Sequence, residues 1–167
     1  MNSRHLSAIA TLFFLIASFI SGAAAQPGKY GKASDYNRRG LRYFNEAFYG
    51  HLPNGKEAEA GKYFDLAAAE FNKALAVNPR FAEAYRNLAR LHYVRKDFAR
   101  AAEDYRMVTL LEPRNIDAYL QLALSCTRID RPNEAIRQLE IAKGKTHDSE
   151  VIGKLDGYIR KIRERQQ

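Results

Sequence analysis

The chain has 167 residues, of which 28% are charged, and its formal net charge is +8 at pH 7. This length suffices for one domain with a hydrophobic core. Cys126 is the only cysteine, which excludes an internal disulfide, so the fold must be stabilised by packing.

The N-terminal segment has the three regions of a secretory signal peptide. Arg4 lies in a short first region, residues 6–20 are almost wholly apolar, and small residues follow at Ala23 and Ala25. This apolar run is shorter than the roughly 20 residues that a spanning helix needs. We predict a signal peptide over residues 1–25 and a periplasmic or secreted protein with no stable membrane insertion after cleavage. The alternative is an uncleaved signal anchor that tethers the chain.

Two segments further along the chain have nearly the same sequence. Residues 78–91 read NPRFAEAYRNLARL and residues 112–125 read EPRNIDAYLQLALS, so that Pro79 corresponds to Pro113. Other positions repeat at the spacing of these prolines, namely Tyr85 and Tyr119, Leu88 and Leu122, Ala89 and Ala123, then Ala67, Ala101 and Ala135, and also Phe71, Tyr105 and Leu139. A repeat period of about 34 residues predicts a solenoid of helical hairpins.

These residues resemble the tetratricopeptide repeat family, whose pattern is aromatic-x-x-Leu-Gly-x-x-Tyr, then Ala-x-x-x-Phe, then Pro. The second unit reads Tyr85-x-x-Leu88-Ala89-x-x-His92, Ala101-x-x-x-Tyr105 and Pro113. The third reads Tyr119-x-x-Leu122-Ala123-x-x-Cys126, Ala135-x-x-x-Leu139 and His147, and the first reads Tyr36-x-x-Arg39-Gly40-x-x-Tyr43, Ala67-x-x-x-Phe71 and Pro79. The resemblance implies an all-α solenoid of three antiparallel helix hairpins plus a C-terminal capping helix.

The predicted domain covers residues 33–165 and follows a flexible mature N-terminus over residues 26–32. Its repeats span residues 33–81, 82–115 and 116–148, and the capping helix spans residues 149–165. Apolar residues of the cap share one face, namely Val151, Ile152, Leu155, Tyr158, Ile159 and Ile162. Its basic residues fall elsewhere and provide the polar face that a solenoid end needs. The alternative is a patch for an anionic membrane or nucleic acid, and export argues against nucleic acid.

The first repeat is longer than the others between its two small-residue positions, Gly40 and Ala67. We predict that the extra residues form an extended hairpin arm over residues 47–61. Gly50 is expected to end its first helix and Asn54 to cap the second. The arm tip is a candidate partner contact, formed by Phe48, Tyr49, His51 and Leu52. The alternative is a variable insertion with no role.

On the geometry of the family, the first helix of each hairpin lines a concave face. The resemblance therefore implies a partner-binding groove formed by Asn37, Arg38, Leu41, Arg86, Asn87, Arg90, Leu120, Gln121, Leu124 and Arg128. Amide side chains there can hydrogen-bond the backbone of an extended peptide, and arginines favour a carboxylate. Asp117 and Gln121 do not supply the basic residues of the family's carboxylate clamp, so we do not expect that clamp. The alternative is that these residues form solvated polar faces.

The sequence contains no H-E-x-x-H, C-x-x-C or G-x-S-x-G motif. His92 and Cys126 stand where the family has a core tyrosine, so we expect a packed, hydrogen-bonded histidine and a buried, inert thiol. We predict no enzymatic activity, no cofactor and no bound metal.

The predicted function is an exported scaffold that binds a peptide or helical segment of a partner protein, with an acidic segment among the options. Its predicted role is the assembly of an envelope or secretion complex. The alternatives are a membrane-tethered periplasmic assembly factor and, more remotely, an enzyme with a site in the groove. The sequence leaves the oligomeric state open.

Overall fold

The computed structural model describes residues 27–166, with side chains from residue 31, so the predicted signal peptide over 1–25 lies outside the described residues. Seven α-helices form this part of the chain, namely α1 Pro27–Asn45, α2 Glu57–Val77, α3 Ala82–Val94, α4 Phe98–Leu111, α5 Ile116–Arg128, α6 Pro132–Lys143 and α7 Ser149–Glu164. A π-helical turn, Glu46–His51, and a 3₁₀ turn, Leu52–Asn54, join α1 to α2. No strand occurs between residues 27 and 166, and the predicted all-α class is confirmed.

Consecutive helices pair into three hairpins, α1 with α2, α3 with α4 and α5 with α6. The helix α4 also packs against α5, and α7 packs against α6, so each hairpin has a neighbour and the last is covered. This arrangement confirms the predicted solenoid with a capping helix. Across residues 27–166, none of the helices has the length and apolar character that crossing a membrane requires.

Two features of the first hairpin differ from the prediction. The helix α1 begins at Pro27, inside the segment 26–32 predicted to be flexible, because proline suits the first position of a helix. Gly50 does not end the first helix either, since the chain continues through it as a π-helical turn.

The turn of the first hairpin is made by Gly55, whose φ of 69° lies in the left-handed region that glycine adopts at no steric cost. Asn54 does not cap α2, because its Nδ2 donates to the carbonyl oxygen of Gly50 at 2.7 Å. In the other two hairpins the turn has the same left-handed geometry at Lys96 (φ 62°) and Asp130 (φ 55°). Lys96 and Asp130 occupy equivalent positions of the second and third repeats, so this left-handed turn is a repeated feature of the hairpins.

The hydrophobic core consists of two clusters of side chains that meet in the second hairpin. The first cluster contains Phe44, Ala47, Ala60, Phe64, Ala67, Phe71, Leu88 and Leu91. The second contains Ala89, Ala102, Tyr105, Tyr119, Leu122, Ala123, Cys126, Ala135, Leu139, Ala142, Leu155, Ile159 and Ile162. Leu88 and Ala89 are adjacent in α3 and belong to different clusters, so this helix joins the two halves of the core.

Small residues are buried where the helices pack against each other. Ala67, Ala101 and Ala135 occupy the same position of the three repeats and are all fully buried. Gly40 leaves no room for a side chain, because a Cβ atom built there would lie 2.5 Å from Cε1 of Phe71. The packing of α1 on α2 therefore requires a glycine at this position.

We predict that Gly40→Ala lowers the free energy of unfolding by about 1–3 kcal/mol, because the Phe71 ring has to move in a packed core. Urea denaturation measures this loss. Gly61→Ala is the matched control, since it lies inside α2 and a Cβ atom there meets nothing within 4 Å. The control should gain up to about 1 kcal/mol from helix propensity. Equal stability of Gly40→Ala and the wild type would contradict the close approach of α1 and α2.

Candidate functional site

A cavity of about 310 Å³ opens on the face formed by α1, α3 and α5. We call this surface, together with the adjoining side of α7, the groove face, and we call the cavity the central cavity. It is lined by Phe44, Phe48, Arg86, Arg90, Tyr93, Val94, Tyr105, Asp117 and Gln121. Phe44 and Tyr105 are buried whereas Arg90 and Asp117 are exposed, so the cavity has an aromatic base and a charged mouth.

The aromatic side of the central cavity is built by the first hairpin. The rings of Phe44 and Phe48 are stacked, with centroids 5.7 Å apart and planes 9° from parallel. The ring of Phe64 of α2 packs against the ring of Phe44, with 5.7 Å between the two centroids, and holds it in place. Because the helical path continues beyond Asn45 as a π-helical turn, Phe48 follows Phe44 on the same side of the chain. The inserted residues therefore contribute one wall of the cavity.

Arg90 is the cation at the mouth that lacks an acidic partner within the described part of the chain. Its Cζ lies 5.3 Å from the centroid of Phe44, which is within the range of a cation–π contact. Arg86, by contrast, donates to Glu112 Oε2 at 2.5 Å, and Asn115 donates to the same oxygen at 2.7 Å. Burial raises the pKa of Glu112, but these two hydrogen bonds outweigh it and the pKa is lowered. Arg90 is thus the arginine of the cavity that can receive a new carboxylate.

The opposite side of the cavity supplies neutral and acidic hydrogen-bonding groups. Burial raises the pKa of Tyr105 to about 12, and the charge of Asp117 adds to the shift. The Tyr105 hydroxyl therefore keeps its proton at neutral pH. Gln121 Nε2 donates weakly to Asp117 Oδ1 at 3.4 Å, which leaves most of the hydrogen-bonding capacity of both groups to solvent or a ligand.

A second cavity, of about 260 Å³, lies between α5 and α7. We call it the terminal pocket. It is lined by Leu120, Ala123, Leu124, Thr127, Leu139, Tyr158, Lys161, Ile162 and Arg165. Its lining is mostly aliphatic, and its charged members are both basic.

The structure divides the predicted groove residues into three groups. Arg86, Arg90 and Gln121 line the central cavity, and Leu120 and Leu124 line the terminal pocket. The other five residues of the predicted set do not line either cavity, namely Asn37, Arg38, Leu41, Asn87 and Arg128.

Physical contacts explain why these five do not line a cavity. Asn87 Nδ2 donates to Asn37 Oδ1 at 2.9 Å, and both side chains are buried between α1 and α3. Leu41 packs against the first core cluster, and Arg38 is exposed and paired with Asp35. The guanidinium of Arg128 lies 5.3 Å from the ring centroid of Phe98. Prediction of these residues as partner contacts was therefore wrong for the buried amide pair, whose polar groups satisfy each other.

The four residues predicted for the arm tip do not form one exposed surface. Phe48 lines the central cavity, and Leu52 packs against the first core cluster. The His51 ring lies 4.8 Å from that of Tyr63 and is largely covered. Tyr49 alone of the four is well exposed, at 65%. The arm folds back on its own hairpin because its aromatic residues bury more apolar surface there than at a free tip.

Sequence reasoning missed the aromatic lining of the central cavity. Phe44, Tyr93 and Tyr105 occupy helix positions that read as core, because aromatic residues at helical spacing usually are core. The available signal was the pair Phe44 and Phe48, one helical turn apart at the start of the insertion. This spacing places both on one side of a helix.

The two unusual residues at the family's core tyrosine position are packed as predicted. His92 Nδ1 lies 2.8 Å from Asp104 Oδ2, and the two side chains are each 17% exposed. Burial raises the pKa of Asp104, although His92 opposes this shift. Cys126 is fully buried, and burial raises the pKa of its thiol to about 11. Among residues 31–166, no three His, Cys, Asp or Glu side chains are placed to hold a metal ion.

Comparison with solved structures identifies the fold. The TPR2B domain of yeast Sti1, in its complex with pHsp70, superposes with a TM-score of 0.61 at 18% identity, over 80% of this chain and 98% of that one. An Arabidopsis OM64 TPR domain gives a TM-score of 0.60 at 18% identity, over 80% and 98% of the two chains. The first TPR of Spaghetti (RPAP3), bound to the HSP90 peptide SRMEEVD, gives 0.55 at 18% identity, over 78% and 94%.

The chain therefore has the fold of a tetratricopeptide repeat domain, as the repeat period predicts. No protein-family model matches the sequence, and comparison with curated protein sequences gives no match.

We predict that Cys126 reacts with a thiol reagent at mildly alkaline pH on the order of a hundredfold more slowly in the native chain than in urea. The thiol is buried and its pKa is raised to about 11, so little thiolate is present and the reagent cannot reach it. Absorbance with a chromogenic disulfide reagent measures both rates. Equal rates in the two conditions would place Cys126 outside the core.

Proposed function

We propose that this chain is a non-catalytic scaffold whose groove face binds an extended segment of a partner protein. The observation that carries the proposal is the central cavity, which combines an aromatic base with an arginine that has no acidic partner among the described residues. Two solved domains of the same fold, those of Spaghetti (RPAP3) and Sti1, are in complexes with an HSP90 peptide and with pHsp70. Their bound partners support a protein ligand on this fold.

The chemistry of the central cavity favours an apolar side chain next to an acidic one. Phe44, Phe48 and Val94 offer apolar surface to the first, and Arg90 offers a guanidinium to the second. A carboxylate and a guanidinium can form two parallel hydrogen bonds, which also fixes the orientation of the ligand. The formal charge of +8 favours association with an acidic segment.

The N-terminal sequence supports export of this scaffold to the periplasm or out of the cell. In that compartment the proposed role is the assembly of an envelope or secretion complex, in which binding orients a partner and no covalent bond changes. A scaffold tethered through residues 6–20 is the alternative. The mass of the protein isolated from its native host distinguishes the two, because only cleavage removes the segment 1–25.

We predict that selection from a random dodecapeptide library on the full chain enriches acidic peptides, and that Arg90→Glu weakens their binding at least about tenfold. The reason is the loss of a charge-assisted hydrogen bond and its replacement by repulsion. Fluorescence anisotropy with labelled selected peptides measures the dissociation constants.

Arg114→Glu is the matched control for this experiment. Arg114 is exposed in the turn before α5, lies outside both cavities and has no ion pair within the described residues. It should change binding less than about twofold, because a distant exposed charge is screened by salt. If Arg90→Glu and Arg114→Glu weaken peptide binding equally, the effect is due to the net charge of the chain and not to a contact with Arg90. A selection that enriches no peptide would overturn the proposed function.

A further inference from the structure

We infer that the terminal pocket is a second anchor site for the same peptide, and that it takes an aliphatic side chain flanked by acidic residues. The inference rests on the proposed function of the central cavity and adds a position, a chemistry and a spacing to it. Three observations carry it, namely the placement of the two cavities on α5, the lining of the terminal pocket and the charges at its mouth.

A single helix separates the two cavities. Asp117 and Gln121 of α5 line the central cavity, whereas Leu120 and Leu124 line the terminal pocket. The members of each pair are about one helical turn apart, so each pair forms a row along the helix, and the rows are neighbours on its surface. An extended chain that crosses α5 on the groove face therefore meets both cavities.

The width of α5 sets the spacing of the two anchors in the ligand. The two cavities lie in the gaps on either side of α5, and packed helices are about 8–10 Å apart, so about 10 Å separates the anchors. An extended peptide advances about 3.3 Å per residue, so the two anchor side chains are about three residues apart. A helical ligand advances only about 1.5 Å per residue and would need about six or seven residues for the same distance.

The lining of the terminal pocket favours an aliphatic side chain. Leu120, Leu124 and Leu139 form much of its wall, and Ile162 of α7 completes it. Tyr158 is 37% exposed beside them. Leu139 and Ile162 are buried members of the second core cluster, so the part of the lining that stays accessible to a ligand is Leu120, Leu124 and Tyr158.

The mouth of the terminal pocket is positively charged. Lys161 and Arg165 line it and are both exposed. The ion pairs that the described part of α7 forms use other basic residues, as Lys154 does with Glu150 and Arg163 with Glu140. Two cations beside an apolar pocket are complementary to an aliphatic residue with acidic neighbours, which selects a partner of that chemistry.

The test uses the peptides selected on the full chain and a pair of double charge reversals in α7. Lys161→Glu with Arg165→Glu alters the mouth of the pocket, and Arg160→Glu with Arg163→Glu makes the same change of charge at exposed positions outside it. We expect the first variant to weaken binding of the selected peptides at least tenfold and the second less than twofold. Circular dichroism verifies that both remain folded.

A second measurement tests the aliphatic anchor and its spacing. Alanine is placed at each position of the peptide in turn, and binding is compared between the wild type and Leu124→Ala. We expect alanine at one aliphatic position of the peptide to weaken binding to the wild type about tenfold. This position should lie about three residues from the apolar peptide residue that contacts the central cavity, which is the residue whose alanine substitution has a smaller effect in Phe48→Ala than in the wild type. The same alanine substitution in the peptide should cost the Leu124→Ala variant less than half as much binding free energy as it costs the wild type. The reason is that Leu124→Ala has already removed much of the contact between the pocket and that peptide side chain.

The outcomes separate this inference from the proposed function. If the peptides lose affinity for Arg90→Glu but bind both α7 variants equally, the inference about the terminal pocket is wrong and the proposed binding at the central cavity stands. Peptides insensitive to Arg90→Glu as well would overturn both. Self-association of the chain that is lost in Lys161→Glu with Arg165→Glu, without loss of peptide binding, would assign the pocket to a second copy and contradict the inference.

Discussion

The close contact between helices at small residues determines the rest of the structure. Gly40 accepts the Phe71 ring, and Ala89 and Ala123, which occupy the equivalent position of the other two repeats, are buried. A hairpin built this way still has an uncovered apolar face, which only a neighbouring hairpin or a cap can bury. The small and apolar residues of these faces therefore recur at the repeat period in the sequence. At the C-terminal end, α7 covers the apolar face of the last hairpin.

Stacking of the hairpins also creates the groove face, on which the partner site is proposed. On the face formed by α1, α3 and α5, the buried rings of Phe44 and Tyr105 form the base of the central cavity. The inserted residues act in the same place, because the π-helical turn brings Phe48 onto the Phe44 ring. The insertion is therefore part of the groove face, which ties the proposed partner site to the feature that distinguishes the first repeat.

The repeat pattern predicts the hairpins because residues such as Ala67, Ala101 and Ala135 occupy the same fully buried position in every unit. It does not predict which polar residues face a ligand. Asn37 and Asn87 have the spacing of groove residues, yet they bond to each other between two helices, and only the three-dimensional contact reveals this. The spacing of Phe44 and Phe48 places both on one side of a helix, but it does not predict the π-helical turn or the stacking of the two rings.

Binding at the groove face is tested most directly by mapping where a selected peptide contacts the native chain. Methyl NMR spectra are recorded while a selected peptide is titrated into the isotopically labelled full chain. Binding at the groove face predicts shifts of Val94 and Leu124, which line the two cavities. It predicts no shifts of Leu66 and Leu110, which are exposed on α2 and α4 outside both cavities. Shifts of Leu66 and Leu110 with Val94 and Leu124 unchanged would contradict binding at the groove face.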